Sequence, residues 1–300
     1  MRIFVPVDES QHTRHVIDFL LNHGALFGNN TELEFANVQY SVPENLIRLF
    51  GVEEVKRYYL EVGKDVFDTL GRETDIRRLG GTEKVLYGDI DRCLAEEVDK
   101  FEPDLIVMGS RGLNPVKGLM LGSVSNGLLA RTRTPMLLLR DKSTVPASAM
   151  RVGILVDGSD YGAAAATFVL KHRAFFGPNA RFTAVHCAEP VPYPFAPNPA
   201  SPLVPVLSRA EIEDAQHRAF DEVIRPTLEP FKEAGVPLAI EYLTGNPDQQ
   251  LAEYANACLD MIVMGSHGYG NFTAAVLGST AMHVAAATTL PVLIVRRPKA

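Results

Sequence analysis

Two glycine-rich stretches of the sequence have the residue types and the spacing to bind a phosphate group. The hexamers VMGSRG and VMGSHG each open the same pattern, which is glycine, two residues, glycine, nine residues and a Gly-Ser pair. The pattern comprises Gly109, Gly112, Gly122 and Ser123 in the first half, and Gly265, Gly268, Gly278 and Ser279 in the second. Glycine at a strand exit permits a turn with positive φ and a close approach to a ligand, and the amides at a helix start favour an anion. The pattern predicts two phosphate cradles, and the alternative is that these glycines only shape tight turns.

The two loops differ in the charge of their side chains. The first loop contains Arg111 and Lys117, which can neutralise a triphosphate, whereas the second contains His267 and neither Lys nor Arg. Neither loop contains an acid that could hold a metal ion or orient water, as phosphoryl-transfer enzymes require. We therefore predict phosphate binding rather than catalysis, with the tighter site in the first half. The alternative for Arg111 and Lys117 is a solvated surface loop.

The glycine loops belong to an internal duplication. LNHGALFGNN and LKHRAFFGPN begin at Leu21 and Leu170, 149 residues apart (170 − 21). DLIVMGSRG and DMIVMGSHG begin at Asp104 and Asp260, 156 residues apart (260 − 104). A period of this length is too long for a solenoid and indicates a duplicated domain. We predict two domains, at residues 1–143 and 150–300.

Each half alternates strand and helix patterns. Short apolar runs such as RIFVPV, LEFANV, DLIVM and PMLLL predict buried strands, and apolar residues from Val55 to Val66 recur at helical spacing. A further strand is predicted near Leu79 to Leu86, and a helix from about Ser123. Strands that are apolar throughout indicate a parallel sheet covered on both faces, hence two tandem doubly wound α/β domains. In such sheets ligands bind beyond the carboxyl ends of the strands, where both glycine loops begin.

Composition and charge argue against several other classes of protein. The 300 residues are 46% hydrophobic with a net charge of −7, so a nucleic-acid partner, which requires a basic surface, is not expected. No apolar run is long enough to span a membrane, and MRIFVPVDES starts a strand pattern at once, which argues against a signal peptide. The three cysteines lack metal-binding spacing and are expected as free thiols. We predict a cytoplasmic protein without a dedicated metal site.

The glycine signature, Asp8 at the end of the first strand and the closing runs TPMLLL and LPVLIV together resemble the universal stress protein family. The resemblance covers both halves and is that of a tandem, two-domain member with a Rossmann-like fold. It implies binding of ATP, with or without Mg, and a role in the stress response, usually without a well-defined reaction. It also implies that the closing strands pair across a pseudo-twofold axis within one chain, with a homodimer as a further option.

The same resemblance assigns individual residues to the nucleotide. In the first half, Pro6 and Asp8 would face the adenosine part, the backbone of Val38 would face adenine, and Met108 and Gly109 the ribose and first phosphate. The remaining phosphates fall to Gly112, Gly122, Ser123, Val124 and Ser125, with Arg111 as an added cation. The matching positions in the second half are Asp157, Cys187, Met264, Gly265, Gly268, Gly278, Ser279 and Thr280. Leu155 in place of Pro6 and Ala281 in place of Ser125 are departures that weaken the second site.

Alternative interpretations stay open at this point. Asp8 is also suited to cap the helix that starts near Ser10, although its recurrence as Asp157 favours a role in the site. The alternatives to a nucleotide-binding sensor are a slow ATPase or nucleotidyl-transfer enzyme and a nucleotide-free scaffold. The stretch from Glu189 to Val206 contains seven prolines and is expected to be irregular. It would serve as an extended ligand for a partner or as a long surface connection.

Overall fold

Ten strands from both halves of the chain form a single sheet. The computed structural model describes residues 1–24, 30–42, 44–109, 122–140, 144–146, 148–189, 209–266 and 277–296. The strands are β1 (Arg2–Pro6), β2 (Glu32–Gln39), β3 (Thr82–Tyr87), β4 (Leu105–Gly109), β5 (Met136–Leu139), β6 (Arg151–Leu155), β7 (Arg181–Ala188), β8 (Leu238–Thr244), β9 (Met261–Gly265) and β10 (Val292–Val295). Their order across the sheet is β3-β2-β1-β4-β5-β10-β9-β6-β7-β8.

The central strand pair is antiparallel, and the other neighbouring strands are parallel. β5 and β10 place Leu137 opposite Leu293. The parallel strands of the two halves therefore run in opposite directions, so their carboxyl ends lie at opposite ends of the sheet along the strand direction. The arrangement confirms the predicted α/β class. β5 and β10 are also the closing strands for which the sequence predicts pairing within the chain.

Helices cover both faces of the sheet. They are α1 (Gln11–Asn22), α2 (Glu44–Phe50), α3 (Val52–Glu73), α4 (Ile76–Leu79), α5 (Ile90–Phe101), α6 (Ser123–Arg131), α7 (Asp160–Lys171), α8 (Arg209–Glu233), α9 (Pro247–Cys258) and α10 (Ser279–Ala287). One core packs Ile3 and Val5 of β1 with α1, α3, α7 and α8. On the opposite face Phe4 packs with α5 and α6, and the second half packs α9 and α10. Successive residues of one strand thus enter opposite cores, as a doubly wound sheet requires.

Most helices that border the carboxyl ends of the strands begin at a side-chain cap. The side chains of Ser10, Asp89, Ser159 and Asn246 accept hydrogen bonds from amides three residues ahead, at the starts of α1, α5, α7 and α9. Such caps satisfy one of the amides that a helix start leaves unpaired. α6 and α10 differ, because each begins at a glycine without a side-chain cap.

The structure differs from the predicted elements in two places. The strand predicted near Leu79 to Leu86 is shorter, because Leu79 ends α4 and the strand β3 begins at Thr82. Gly80 and Gly81 have φ of 65° and 110°, a conformation that ends the helix and redirects the chain. The helix α2, which precedes the predicted long helix, was not expected. The proline-rich segment at 190–208 lies outside the described residues, and within them no helix is long and apolar enough to cross a membrane.

Candidate functional site

A cleft lies at the carboxyl ends of β1, β2 and β4, opposite the N-terminus of α6. Nine of the residues predicted for the first site line it, namely Pro6, Asp8, Val38, Met108, Gly109, Gly122, Ser123, Val124 and Ser125. The predicted residues Arg111 and Gly112 lie outside the described residues. Residues more than a hundred positions apart in the sequence therefore surround one cleft, because parallel strands bring their carboxyl ends to the same edge.

A second cleft occupies the equivalent place in the second half. Seven predicted residues line it, namely Asp157, Cys187, Met264, Gly265, Gly278, Ser279 and Thr280. Gly268 lies outside the described residues. Leu155 and Ala281, the two departures from the first half, also line this cleft. The second cleft is therefore the more apolar of the two at these positions, and it lacks the hydroxyl that Ser125 brings to the first.

The N-termini of α6 and α10 are features of the two clefts that attract anions. Gly122 and Gly278 occupy the cap positions with φ of −51° and −62°, and neither helix receives a side-chain cap. Among the described residues, a β-carbon at Gly122 would meet only the Ser125 hydroxyl oxygen, at 3.8 Å, so these residues leave space in front of the helix. Uncapped amides and the positive end of a helix dipole favour a negatively charged group in such a space.

The glycines at the strand exits are needed for a different reason from the one predicted. Gly109 and Gly265 are not among the residues with positive φ, so the predicted turn conformation is wrong for these two strand-exit glycines. A β-carbon at Gly109 would lie 2.6 Å from the β-carbon of His12, and one at Gly265 would lie 2.5 Å from that of Tyr161. The two strand-exit glycines allow β4 and β9 to pack closely against the first turns of α1 and α7.

Asp8 combines a structural role with a place in the cleft wall. Its Oδ1 atom accepts hydrogen bonds from the amide and hydroxyl of Ser10, at 3.0 and 2.5 Å, and from the hydroxyl of Thr13 at 2.6 Å. Burial raises the pKa of Asp8, but the hydrogen bonds from Ser10 and Thr13 outweigh it and hold the pKa below its ordinary value. The side chain is therefore a carboxylate that orders the start of α1.

The equivalent carboxylate, Asp157, is held less tightly. It accepts from the amide and hydroxyl of Ser159 at 3.0 and 2.6 Å, as Asp8 does from Ser10. Gly162 stands where the first half has Thr13, so the third bond has no donor there. The two clefts thus have equivalent walls at this position, and the wall of the first cleft carries an additional hydroxyl.

The ends of β2 and β7 direct backbone groups into the clefts. The carbonyl of Ala36 accepts from the Val7 amide on the β1 side, and the carbonyl of Gln39 accepts from the Gly88 amide on the β3 side. Because backbone groups alternate sides along a strand, the N–H and C=O of Val38 point toward the β1 side. The register of β1 with β2 ends at the pair Pro6–Ala36, so Val38 lies beyond it, at the cleft.

The second half repeats this geometry around Cys187. The carbonyl of Val185 accepts from the Val156 amide, and the carbonyl of Ala188 accepts from the Gly245 amide. The backbone of Cys187 therefore points toward the β6 side, beyond the last paired residue, Leu155. Burial, followed by the nearby Glu189, raises the pKa of the Cys187 thiol, so the thiol is not activated as a nucleophile.

The structure also identifies cleft residues that the sequence did not predict. Asn37 and His186, equivalent positions in the duplication, both line the clefts and both bond the carbonyl that precedes the cleft aspartate. The Asn37 amide donates to Val7 at 2.9 Å, and His186 Nδ1 lies 2.8 Å from the carbonyl of Val156. The offset of 149 residues relates the two positions, but an Asn aligned with a His gives no signal of a shared role. Further unpredicted lining residues are Val7, Ser10, His12, Thr13, Ala36, Ile90 and Leu94 in the first cleft and Val156, Gly162, Pro247 and Leu251 in the second.

Comparison with known proteins assigns the family. A model of the universal stress protein family matches the chain twice, at residues 1–140 and 149–296. The chain belongs to the universal stress protein family. The two matches stand in tandem, as the resemblance of the two glycine signatures implied.

Individual relatives in this family are distant. A universal stress protein of Mycolicibacterium smegmatis is 27% identical over 252 residues, which are 81% of this chain and 78% of that protein. Universal stress protein Rv2005c of Mycobacterium tuberculosis is 26% identical over 198 residues, which are 65% of this chain and 63% of that protein. The chain thus spans less than two thirds of the second relative. The crystal structure of a universal stress protein from Archaeoglobus fulgidus matches 99% of this chain and 97% of its own, with a TM-score of 0.66 and 20% identity, which is a likeness of fold.

Proposed function

We propose that this universal stress protein binds ATP in both clefts and acts as a cytoplasmic, nucleotide-occupied sensor in the stress response. The observation that carries the proposal is that the predicted site residues in the described part of the chain all line the two clefts. The proposal treats residues 1–143 and 150–300 as two nucleotide-binding domains. It assigns ATP to the space between the strand ends and the uncapped helix in each.

The phosphates are proposed to lie against the N-termini of α6 and α10. The donor set there consists of backbone amides, with the hydroxyls of Ser123 and Ser125 in the first cleft and of Ser279 and Thr280 in the second. Donors of this kind suit phosphate oxygens, which only accept hydrogen bonds. The proposal extends the first cradle to Arg111 and Gly112 and the second to Gly268. The first cleft is the proposed tighter site, because it combines Ser125 with that arginine.

The adenine is proposed to lie beside the backbone of Val38 or Cys187. Each of these residues offers one N–H and one C=O on the side where the neighbouring strand has ended. The C=O suits the exocyclic amino group of adenine, whereas guanine carries an acceptor oxygen at that position. A backbone carbonyl facing an acceptor is unfavourable, so we expect ATP in preference to GTP.

Binding rather than turnover is the proposed activity. Amides and hydroxyls stabilise a bound triphosphate about as well as its transition state, and uniform stabilisation of that kind does not raise the rate. The acid in each described cleft wall, Asp8 or Asp157, already orders the start of a helix through its Oδ1. Within the described residues no group of three or more His, Cys, Asp or Glu could hold a metal ion. Any Mg would therefore enter with the nucleotide.

The first test of the proposal is a thermal unfolding experiment with ATP. A ligand that binds only the folded state raises the free energy of unfolding by about 2.7 kcal/mol at a hundredfold excess over its dissociation constant. We expect about this rise from each occupied cleft of the parent chain, and a smaller total for Gly122→Val, which keeps only the second cleft. The valine would fill the space that the described residues leave in front of α6, where a β-carbon meets one of their atoms, a hydroxyl oxygen at 3.8 Å.

The matched control is Gly24→Val, which adds the same side chain at the far end of α1 from the cleft, where a β-carbon meets no described residue within 4 Å. It should keep the full response to ATP. In the double variant Gly122→Val Gly278→Val the response should be lost. A double variant that responds as strongly as the parent would rule out both proposed cradles.

A further inference from the structure

A side chain from the second half holds the C-terminal end of the helix that faces the first cleft. Nη1 of Arg296 donates to the carbonyl of Leu129 and, at 2.9 Å, to the carbonyl of Thr132. Leu129 lies in the last turn of α6, and Thr132 is its C-terminal cap residue. The carbonyl of Leu128 accepts from the hydroxyl of Thr132, at 3.1 Å. Carbonyls at a helix end have no partner within the helix, so Arg296 satisfies groups that would otherwise be unpaired.

Charge strengthens this contact. Burial and the nearby Arg133 lower the pKa of Arg296, but an arginine remains charged in a protein. A cation at a helix C-terminus interacts favourably with the helix dipole. α6 has nine residues, and such a short helix depends on its tertiary contacts for stability.

The backbone that carries Arg296 is tied to the second cleft. Arg296 directly follows β10, whose last residue, Val295, accepts a hydrogen bond from the amide of Ser266 at 3.0 Å. The carbonyl of Ser266, which is fully buried, in turn accepts from the amide of Gly278 at 2.8 Å. Gly278 is the cap residue of α10 and lines the second cleft. The guanidinium is therefore placed by an ordered part of the second half.

We propose that Arg296 is a positioning residue for the first cleft, so that the second half of the chain orders the helix whose N-terminus forms the first phosphate cradle. α6 presents Ser123 and Ser125 to the cleft at one end and its carbonyls to Arg296 at the other. A rigid helix transmits its placement from one end to the other. The structural part of this inference is independent of the ligand, and its consequence for nucleotide affinity rests on the proposed function.

The test that needs no nucleotide is amide hydrogen exchange. Arg296→Met keeps an unbranched apolar stem and removes the donors, and we expect the amides of α6 to exchange faster than in the parent. The amides of α10 serve as the internal reference and should change less. Arg133→Met removes an exposed arginine beside the same helix end and is the matched control. Unchanged exchange in α6 of Arg296→Met would overturn the proposal.

The second test measures ATP affinity at each cleft separately. Gly278→Val isolates the first cleft and Gly122→Val the second. In the first background Arg296→Met should weaken ATP binding by about tenfold, the effect of losing hydrogen bonds to a charged group. In the second background the affinity should stay within about twofold. Arg296→Lys, which keeps a charged donor, should restore part of the loss at the first cleft.

The outcomes separate the two claims. An equal loss at both clefts would show a general structural role and would overturn the positioning role. Unchanged affinity at the first cleft would overturn it as well. A parent chain that binds no ATP, together with faster exchange in α6 of Arg296→Met, would refute the proposed function and support the ordering of α6 by the second half.

Discussion

Glu34 has a buried carboxyl group within a strand, whereas charged side chains are usually exposed to water. It lies in β2 with 4% of its surface exposed, and its Oε1 atom is buried without a hydrogen-bond partner. The hydroxyl of Thr82 lies 3.5 Å from the other oxygen. Burial, followed by the nearby carboxylate of Glu97, raises the pKa of Glu34 above its ordinary value. The folded protein therefore binds a proton at this site more readily than the unfolded chain does.

This pKa shift sets the sign of a pH-dependent stability. A carboxyl group with a raised folded-state pKa contributes stability below its ordinary pKa of 4.5, and the contribution is lost as the pH rises through the folded-state pKa. The ionised form of Glu34 is therefore unfavourable in the folded protein. We expect Glu34→Gln to raise the free energy of unfolding at pH 7 by about 1 kcal/mol, because it removes the cost of the buried charge.

Urea unfolding of Glu34→Gln and of the parent at pH 7 and at pH 4 is the measurement. The advantage of the variant should shrink at the lower pH, where the parent carboxyl is increasingly protonated. Glu32→Gln is the control, because Glu32 pairs with Arg2 through a side chain that is 69% exposed, and exposed pairs contribute little. A variant at Glu34 that is less stable than the parent at pH 7 would contradict the argument.

At the scale of residues, the sequence could point to several positions that line the clefts but not to what each residue does there. The duplication marks Gly109 and Gly265 twice, and both lie at strand exits as expected. Their reason for being glycine is contact with a distant helix, which local sequence does not encode. Asp8 differs, because its position just before Ser10 already suggested a role at the start of the next helix, where it accepts from Thr13. Side chains such as Asn37 become visible as cleft residues only once β1 and β2 are paired.

At the scale of elements, β4 packs closely against α1 at Gly109. A substitution there can be compared with the same substitution at a position that has space around it. A methyl group at Gly109 would lie 2.9 Å from the carbonyl oxygen of His12 as well as 2.6 Å from its β-carbon. Backbone atoms of a helix cannot move aside cheaply, so we expect Gly109→Ala to cost about 1–3 kcal/mol of stability. The strand or the helix must shift to make room.

Gly122→Ala is the matched change at the other end of the same loop. Its φ of −51° suits an alanine, and the space is open. The loss of a favourable cap residue and the lower entropy of the unfolded chain should offset each other to within about 0.5 kcal/mol. Chemical unfolding of both variants gives the comparison. Equal stabilities would show that β4 and α1 tolerate a methyl group between them.

The elements themselves were predictable where their apolar pattern is long. Buried strands such as β4 and β10 and the long helix α3 follow from continuous runs and from helical spacing. α2 and α4 have only seven and four residues, so their apolar patterns are too brief to distinguish from a loop. The boundary at Leu79 was missed because only Gly80 and Gly81 separate the end of α4 from Thr82, the first residue of β3.

At the scale of the whole molecule, the apolar strands β5 and β10 are buried at the centre of the sheet. β5 and β10 are MLLL and VLIV, fully buried and without a charged residue. The outer strand β3 carries Glu83 and Lys84, and the other outer strand, β8, carries Glu241. Charged residues on an edge strand discourage pairing with another chain, whereas a bare apolar edge invites it. Each half on its own would expose such an edge.

This contrast predicts how the separate halves behave. Residues 1–143 and 150–300, produced as separate chains and mixed, should associate one to one, because β5 and β10 regain the register that sets Leu137 opposite Leu293. The first half alone should self-associate through β5 at high micromolar concentration, since the same edge is free to pair with a second copy. Sedimentation velocity on each half and on the mixture distinguishes these species.

Replacement of Glu83 by Gln on the far edge is the control and should leave association unchanged, because β3 lies at the opposite end of its half of the sheet. Halves that fold but stay monomeric, alone and mixed, would show that the central strand pair contributes little to holding the chain together.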